Sequence, residues 1–389
     1  MKASPLRLIA SLCLLAVAGG VVGLIASAMS KEGASARDFI QYWAAGQELV
    51  HGANPYDWAT SLEYERKAGF VGDTPFVTRN PPVAFFLDLP FGFVNPRTGM
   101  VLWLLLLLAS LMVSVRMLWI LNGRPENRLH LLSYVFAPVL ACVMAGQVGI
   151  LLLLGVTLFL YFHASKPYLA GAGLLLCSIK PHLFVPFGIV LLVWSLSKRE
   201  YRILAGACAA VAASCALSFF VDRQAWSQYL QHIRTAGIQD EFVPTMSIVF
   251  RLLVDRNAVW LQSVPQAIAC VWAIWYFWSR RESWSWMEQG LLVLLVSEAC
   301  APYAWFTDEV MLLPAILAAI YLTDRAGRSL LSYGMIAGIA LVEILTQVQI
   351  TSAFYLWTAP AWLGWYLYAT RSGGAAANES RRDAAAQIG

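Results

Sequence analysis

Apolar residues fall into long runs along this chain, and the runs have the length of membrane-crossing helices. The stretch "VLWLLLLLASLMVSVRMLWIL", residues 101–121, carries one charge and matches the ~20 residues that span a bilayer as helix. The same pattern predicts helices at about 7–29, 99–121, 131–144, 148–163, 168–179, 183–196, 203–221, 258–278, 287–303, 310–323, 329–348 and 353–369. Several fall short of a full span, so they read as re-entrant, tilted or broken. No run alternates as a transmembrane barrel strand does. A backbone in lipid satisfies its own hydrogen bonds within helices, so the expected fold is an all-α integral membrane protein with about 10–12 helices.

Composition agrees. Charged residues make up 13% of the chain, about half the share in soluble domains. Placing the N-terminus inside puts the short basic segments "NGRPENR", "SKPY", "SKREYR", "SRRES" and "TDRAGR" on the cytoplasmic side, as the positive-inside rule requires. The other side then holds two long loops, residues 30–98 and 222–257. Loops of that length are functional or separately structured. The expected organisation is one catalytic domain over residues 1–371 with a disordered cytoplasmic tail, 372–389. Residues 7–29 form an apolar run longer than the 7–15 residues of a signal peptide's core, which favours an uncleaved first helix. All seven cysteines lie inside apolar runs without metal-ligand spacing, and nothing points to nucleic acid as a partner.

Three polar constellations interrupt this pattern on the outer side. The first, "ARDFIQYWAAGQELVHGANPYDW", residues 36–58, reads as a short interfacial helix with Asp38 near its start and an Asn54-Pro55 turn after it. Asp38 there serves either as a helix cap or as a catalytic carboxylate. In the second, "TRNPPVAFFLDLPFGF", Arg79 is either a phosphate ligand or a solvated charge. The third combines Gly146-Gln147 with Lys180-Pro181-His182, each breaking an apolar region. A lysine at membrane depth costs about 2.5–3.5 kcal/mol, which marks a functional candidate; snorkelling to the interface is the alternative. Asp308 and Glu309, in "APYAWFTDEVMLLP", suit a cap on the helix that follows. ATP-binding and zinc-protease motifs are absent from the sequence.

The segments "DFIQYWAAGQELVHGANPY", "NPPVAFFLDLPF", "GQVGILLLL" and "AGAGLLLCSIKPHLFVPF" occur in an order that resembles glycosyltransferase family 87. These are GT-C type enzymes, the polyprenyl-phosphate-mannose-dependent α-1,2-mannosyltransferases. The family often carries histidines in the segment where this chain has Thr307-Asp308. The resemblance implies a GT-C multi-helix bundle in the cell membrane with an extracytoplasmic site. It further implies a polyprenyl-phosphate sugar donor, a lipid or glycan acceptor and Asp38 as general base. Lys180, His182 and Arg79 are then expected to bind the donor phosphate. Tyr42, Asn54, Tyr56, Gln147 and Trp305, which lie in or beside the matching segments, are expected to bind substrate or shape the site. One carboxylate with cationic phosphate partners suggests inversion without a metal cofactor. The rival reading is a transporter or flippase for a lipid-linked sugar, since broken helices also line transporter sites.

Overall fold

The computed structural model describes residues 38–235, 245–326, 333–341 and 357–370, with three isolated positions before them. The expected first helix and the C-terminal tail lie outside these residues. The longer helices are α1 (Phe39–Val50), α2 (Trp58–Lys67), α3 (Pro96–Leu121), α4 (Ala137–Ala145), α5 (Gly149–Phe162), α6 (Pro167–Gly173) and α7 (Val185–Ser197). They continue with α8 (Tyr201–Val221), α9 (Ala225–Thr235), α10 (Met246–Val254), α11 (Ser263–Arg280), α12 (Leu291–Ala299) and α13 (Leu313–Arg325). The described residues contain no strand. Among the described residues, three helical stretches are long and apolar enough to cross a membrane: Pro96–Leu121, Tyr201–Val221 and Phe306–Arg325. The chain is a helical membrane protein.

Two of the shorter expected runs are broken, as their length suggested. The 131–144 run becomes a 3-10 stretch, Leu129–Val135, followed by α4, because Pro138 sits at the start of the next helix. The 168–179 run divides at Leu174-Leu175 into α6 and a 3-10 turn, Leu176–Ile179. Pro181 follows one residue later, after Lys180, and its missing N–H keeps the helix from continuing.

The chain divides into two compact units. The first comprises Met1–Val115, Pro138–Pro181 and Glu200–Ile238. Here α1 packs against α2 and against the tightly wound segment Pro82–Phe93. The sequence suggested an interfacial helix, but α1 is enclosed on nearly every side: Phe39, Ile40, Tyr42, Trp43, Ala44, Ala45, Glu48 and Leu49 are all buried. What allows this is a backbone-to-backbone approach of Gly46 and Gly92, locked by Gln47 Nε2 donating to Gly92 O at 2.9 Å and Trp43 Nε1 donating to Val94 O at 2.8 Å. A Cβ on Gly46 would strike the Asp88 carbonyl oxygen and lie 2.7 Å from Gly92 N. Neither is the end of a flexible side chain. Gly46→Ala is therefore expected to destabilise this unit by about 1–3 kcal/mol, the usual cost of overpacking, read as a lowered thermal midpoint of the protein in detergent.

One buried carboxyl joins α1 to α2 and another ties α2 to the segment that follows it. Ser61 Oγ donates to Glu48 Oε1 at 2.9 Å, and the Phe76 N–H donates to Glu65 Oε1 at 2.9 Å. The second oxygen of each carboxyl has no hydrogen-bond partner. Burial pushes the Glu48 carboxyl up to about 9, with the nearby Glu65, Asp57 and Asp88 adding to the rise. Glu65 is pushed up to about 7, again by burial. A carboxyl whose pKa rises on folding holds its proton longer in the native than in the unfolded state. Its folded state then loses relative stability as pH climbs above the unfolded value. The loss runs from about 4.5 to about 7 for Glu65 and from about 4.5 to about 9 for Glu48. Thermal midpoints should fall from pH 5 to pH 9. Glu48→Gln should flatten that slope, because an amide keeps the Ser61 partner and has no proton to lose.

The second unit comprises Arg116–Ala137, His182–Arg199 and Gln239–Gly389. Within it α7 packs against α11 and α12, and the Phe187 N–H donates to Ser297 Oγ at 3.0 Å. Arg251, fully buried, donates to Gln262 Oε1 at 3.1 Å, and Gln262 in turn donates to Pro302 O at 2.9 Å.

Candidate active site

Gly146 sets the geometry of the site in the first unit. It takes φ +73°, the left-handed conformation that glycine accepts without a Cβ penalty, and so ends α4. The Gln147 N–H then closes back on Cys142 O at 3.0 Å, and the indole of Trp103 donates to Gly146 O at 2.7 Å. This turn presents the Gln147 side chain to the start of α1, where the Asp38 N–H donates to Ala145 O at 3.0 Å.

A short polar chain results. Tyr42 Oη donates to Gln147 Oε1 at 2.8 Å, and Gln147 Nε2 donates to Asp38 Oδ2 at 2.7 Å. The Tyr42 ring stacks on Trp103 with centroids 4.9 Å apart. Trp103 lies in the middle of a leucine run and gives no sign in the sequence of serving a polar site. Asp38 occupies the N-cap position of α1, yet its side chain makes no capping hydrogen bond. Its carboxylate is directed to Gln147 instead. Capping does not account for this residue.

Burial raises the Asp38 pKa, while the Gln147 hydrogen bond and then the Lys180 charge pull it back down. Lys180, which terminates the 3-10 turn after α6, is thus close enough to favour the carboxylate form, and only 8% of its surface is exposed. A buried cation beside a carboxylate that is hydrogen-bonded on one oxygen forms a two-charge site. Such a site suits a reaction in which a proton is taken at one point and negative charge grows at another.

The remaining sequence candidates make other contacts. Asn54 Oδ1 accepts the Tyr56 N–H at 2.9 Å, which makes Asn54 the anchor of its own turn. Tyr56 donates to Asn80 O at 2.8 Å and packs its ring against Tyr229 and His232. Arg79 is exposed, and its charge acts on His232. His232 and Tyr229 were not singled out in the sequence, where they are two polar residues among many in a long loop. His182 and Trp305 belong to the second unit, where each ring packs against Tyr303 at 5.8 Å. The His182 carbonyl accepts from Gln266 Nε2 at 2.6 Å. Asp308 accepts the Trp305 N–H at 3.0 Å, the capping arrangement its position suggested.

The model of glycosyltransferase family 87 matches residues 78–302, more than half of the 389-residue chain. The chain belongs to glycosyltransferase family 87. The match includes Gln147 and Lys180 and begins after Asp38 and Tyr42, so those two rest on the geometry of the site. No curated protein and no solved structure matches the chain. As a family 87 member it is a membrane glycosyltransferase of GT-C type, which requires a sugar donor, an acceptor and a bilayer.

Proposed function

We propose that this family 87 glycosyltransferase moves a hexosyl group, mannose first among the candidates, from a polyprenyl-phosphate carrier to an acceptor hydroxyl on the extracytoplasmic side of the cell membrane. Asp38 is the general base. The acceptor oxygen attacks the anomeric carbon through an oxocarbenium-like transition state, and its proton passes to Asp38. The bond from the anomeric carbon to the phosphate oxygen breaks, and its electron pair leaves with the polyprenyl phosphate. Lys180 faces the charge that grows there. Attack opposite the leaving group inverts the anomeric centre. The phosphate departs as a stable anion, so neither an acid nor a metal cofactor is required.

The observation that carries this reading is the convergence of Asp38, Gln147 and Lys180 in one site, with Asp38 released from capping duty. A base near neutral pH benefits from a carboxyl raised above its ordinary value. Gln147 fixes one carboxylate oxygen and leaves the other for the acceptor hydroxyl, and Tyr42 holds the Gln147 amide in place.

The test is transfer by the purified protein in lipid nanodiscs, with a panel of radiolabelled polyprenyl-phosphate hexoses and an extract of membrane lipids as acceptor pool. Labelled product with mannose preferred, undiminished by EDTA, is the expected result. A transporter would move the carrier across the bilayer without breaking the sugar–phosphate bond. Carrier recovered intact with every donor therefore argues against the transferase reading.

A further inference from the structure

The last turn of α8 marks a depth in the membrane. Its 21 residues run roughly 31 Å at 1.5 Å per residue, about the thickness of a bilayer's hydrocarbon core. Phe219 and Phe220, 50% and 89% exposed, stand open at this end as lipid-facing side chains do. Only Asp222, Arg223 and Gln224 separate α8 from α9, so α9 begins where hydrocarbon meets water. With 11 residues it is about half the length of a span and cannot cross. Nor does it rise away from the end of α8. Trp226 Nε1 donates to Ser218 Oγ, in the last turn of α8, at 3.2 Å. The Pro82–Ala84 turn packs against α9 and also against α8, where Ser214 Oγ donates to Val83 O at 2.6 Å.

Three rows of side chains run along α9, each made of residues three and four apart. Ala225, Tyr229 and His232 form the first, which packs on Tyr56 and Phe85. Trp226, Leu230 and Ile233 form the second. Leu230 is 52% exposed, Ile233 is exposed as well, and Trp226 is partly open. Ser227, Gln231 and Arg234 form the third, and all are exposed. The helix therefore turns one face to protein, the next to something apolar and the third to water. A helix packed on one side and solvated elsewhere needs a single apolar row. The second row is what a helix lying in a membrane surface carries, with a tryptophan at headgroup depth. It also continues the lipid-facing surface that ends at Phe219 and Phe220.

Charge fits the same occupant. Exposed Arg223 and Arg234 stand at the two ends of the apolar row. Asp222 is the single acid between positions 222 and 235, and its Oδ1 is engaged by the Gln224 N–H at 2.8 Å. A guanidinium is weakly hydrated and pairs with phosphate through two parallel hydrogen bonds. We infer that α9 lies in the membrane surface at the end of α8, with Trp226, Leu230 and Ile233 set among the lipids and Arg223 and Arg234 on the phosphates of anionic phospholipid. This surface is independent of the transfer chemistry at Asp38.

Depth-dependent fluorescence quenching tests the placement, on the full chain in nanodiscs of phosphatidylcholine and phosphatidylglycerol. An environment-sensitive aminonaphthyl amino acid replaces Leu230 in one protein and Gln231 in another, both exposed positions. The quenchers are a lipid with a nitroxide near its headgroup and aqueous iodide. Position 230 should be quenched mainly by the nitroxide lipid and position 231 mainly by iodide. Equal iodide quenching at both positions places α9 in water and overturns the inference. Protection of position 230 from both quenchers means that protein covers the row, which overturns it too. The charge is read from the phosphatidylglycerol that stays on the protein through detergent purification, counted by mass spectrometry. Arg223→Gln and Arg234→Gln should each lower that retention about five-fold, the equivalent of ~1 kcal/mol per arginine at an anionic surface, and Arg234→Lys should keep most of it. Retention that is the same in wild type and both glutamine variants overturns the role given to the arginines.

Discussion

Asp38→Asn is expected to lower sugar transfer by about 10²–10⁴-fold, the contribution of a positioned general base, while donor binding and folding persist. The substitution is nearly isosteric. Asn retains an oxygen that accepts from Gln147 Nε2, so the Tyr42–Gln147 chain stays intact. What disappears is the capacity to take the acceptor proton. The loss should therefore appear in kcat, with the KM for donor little changed. In wild type, activity should fall on the acid side as the carboxylate is protonated, with the midpoint above the ordinary Asp value of 3.8, because burial outweighs the Gln147 and Lys180 contributions. Asp38→Glu separates chemistry from charge: it restores a proton acceptor displaced by one methylene and should recover only part of the rate. Wild-type turnover by Asp38→Asn, with the same acid limb, would remove the residue from the mechanism.

The second large effect belongs to Lys180. Lys180→Met keeps the length and apolar stem of the side chain in its buried setting and deletes the charge. Transfer should drop by about 10²–10³-fold, as when one preorganised group facing developing charge is lost. A second consequence follows from the neighbouring carboxyl. The Lys180 charge lowers the Asp38 pKa, so its removal lets burial raise that pKa further and shifts the acid limb of the profile upward. A purely structural lysine would not move that limb. Lys180→Arg should restore the limb while recovering activity incompletely, since a planar guanidinium addresses a phosphate differently from an ammonium. A Lys180→Met profile superimposable on wild type would dissociate the lysine from Asp38.

These two residues also show how far the linear chain can be read. Lys180-Pro181 stands out because a charge and a helix breaker interrupt apolar sequence, and each has a local energetic cost that a single sequence displays. The all-helical membrane character is legible for the same reason: it depends on composition over ~20 residues and on the backbone's need to satisfy itself in lipid. Family membership follows from local segments in order, which a family match over residues 78–302 supports. The exposure of α1 was misjudged, because its enclosure depends on Gly46 meeting Gly92, a contact 46 residues away that has no periodic signature.

Tertiary structure alone decided what each polar residue faces. Asp38 had two readings of similar form, cap and base; that its carboxylate faces Gln147, 109 positions away in sequence and delivered by the left-handed turn at Gly146, came from packing. Arg79 in the first outer loop and Lys180 at membrane depth were both expected to bind the donor phosphate, yet one acts on His232 and the other on Asp38. The sequence by itself determined where the apolar helical runs lie and which residues are chemically costly in their surroundings, because both follow from interactions within a few residues; the helices Trp58–Lys67, Ala225–Thr235 and Met246–Val254 inside the outer loops were not among them. Which costly residues meet was decided only by packing, since long-range partners leave no trace in the local pattern of a single chain.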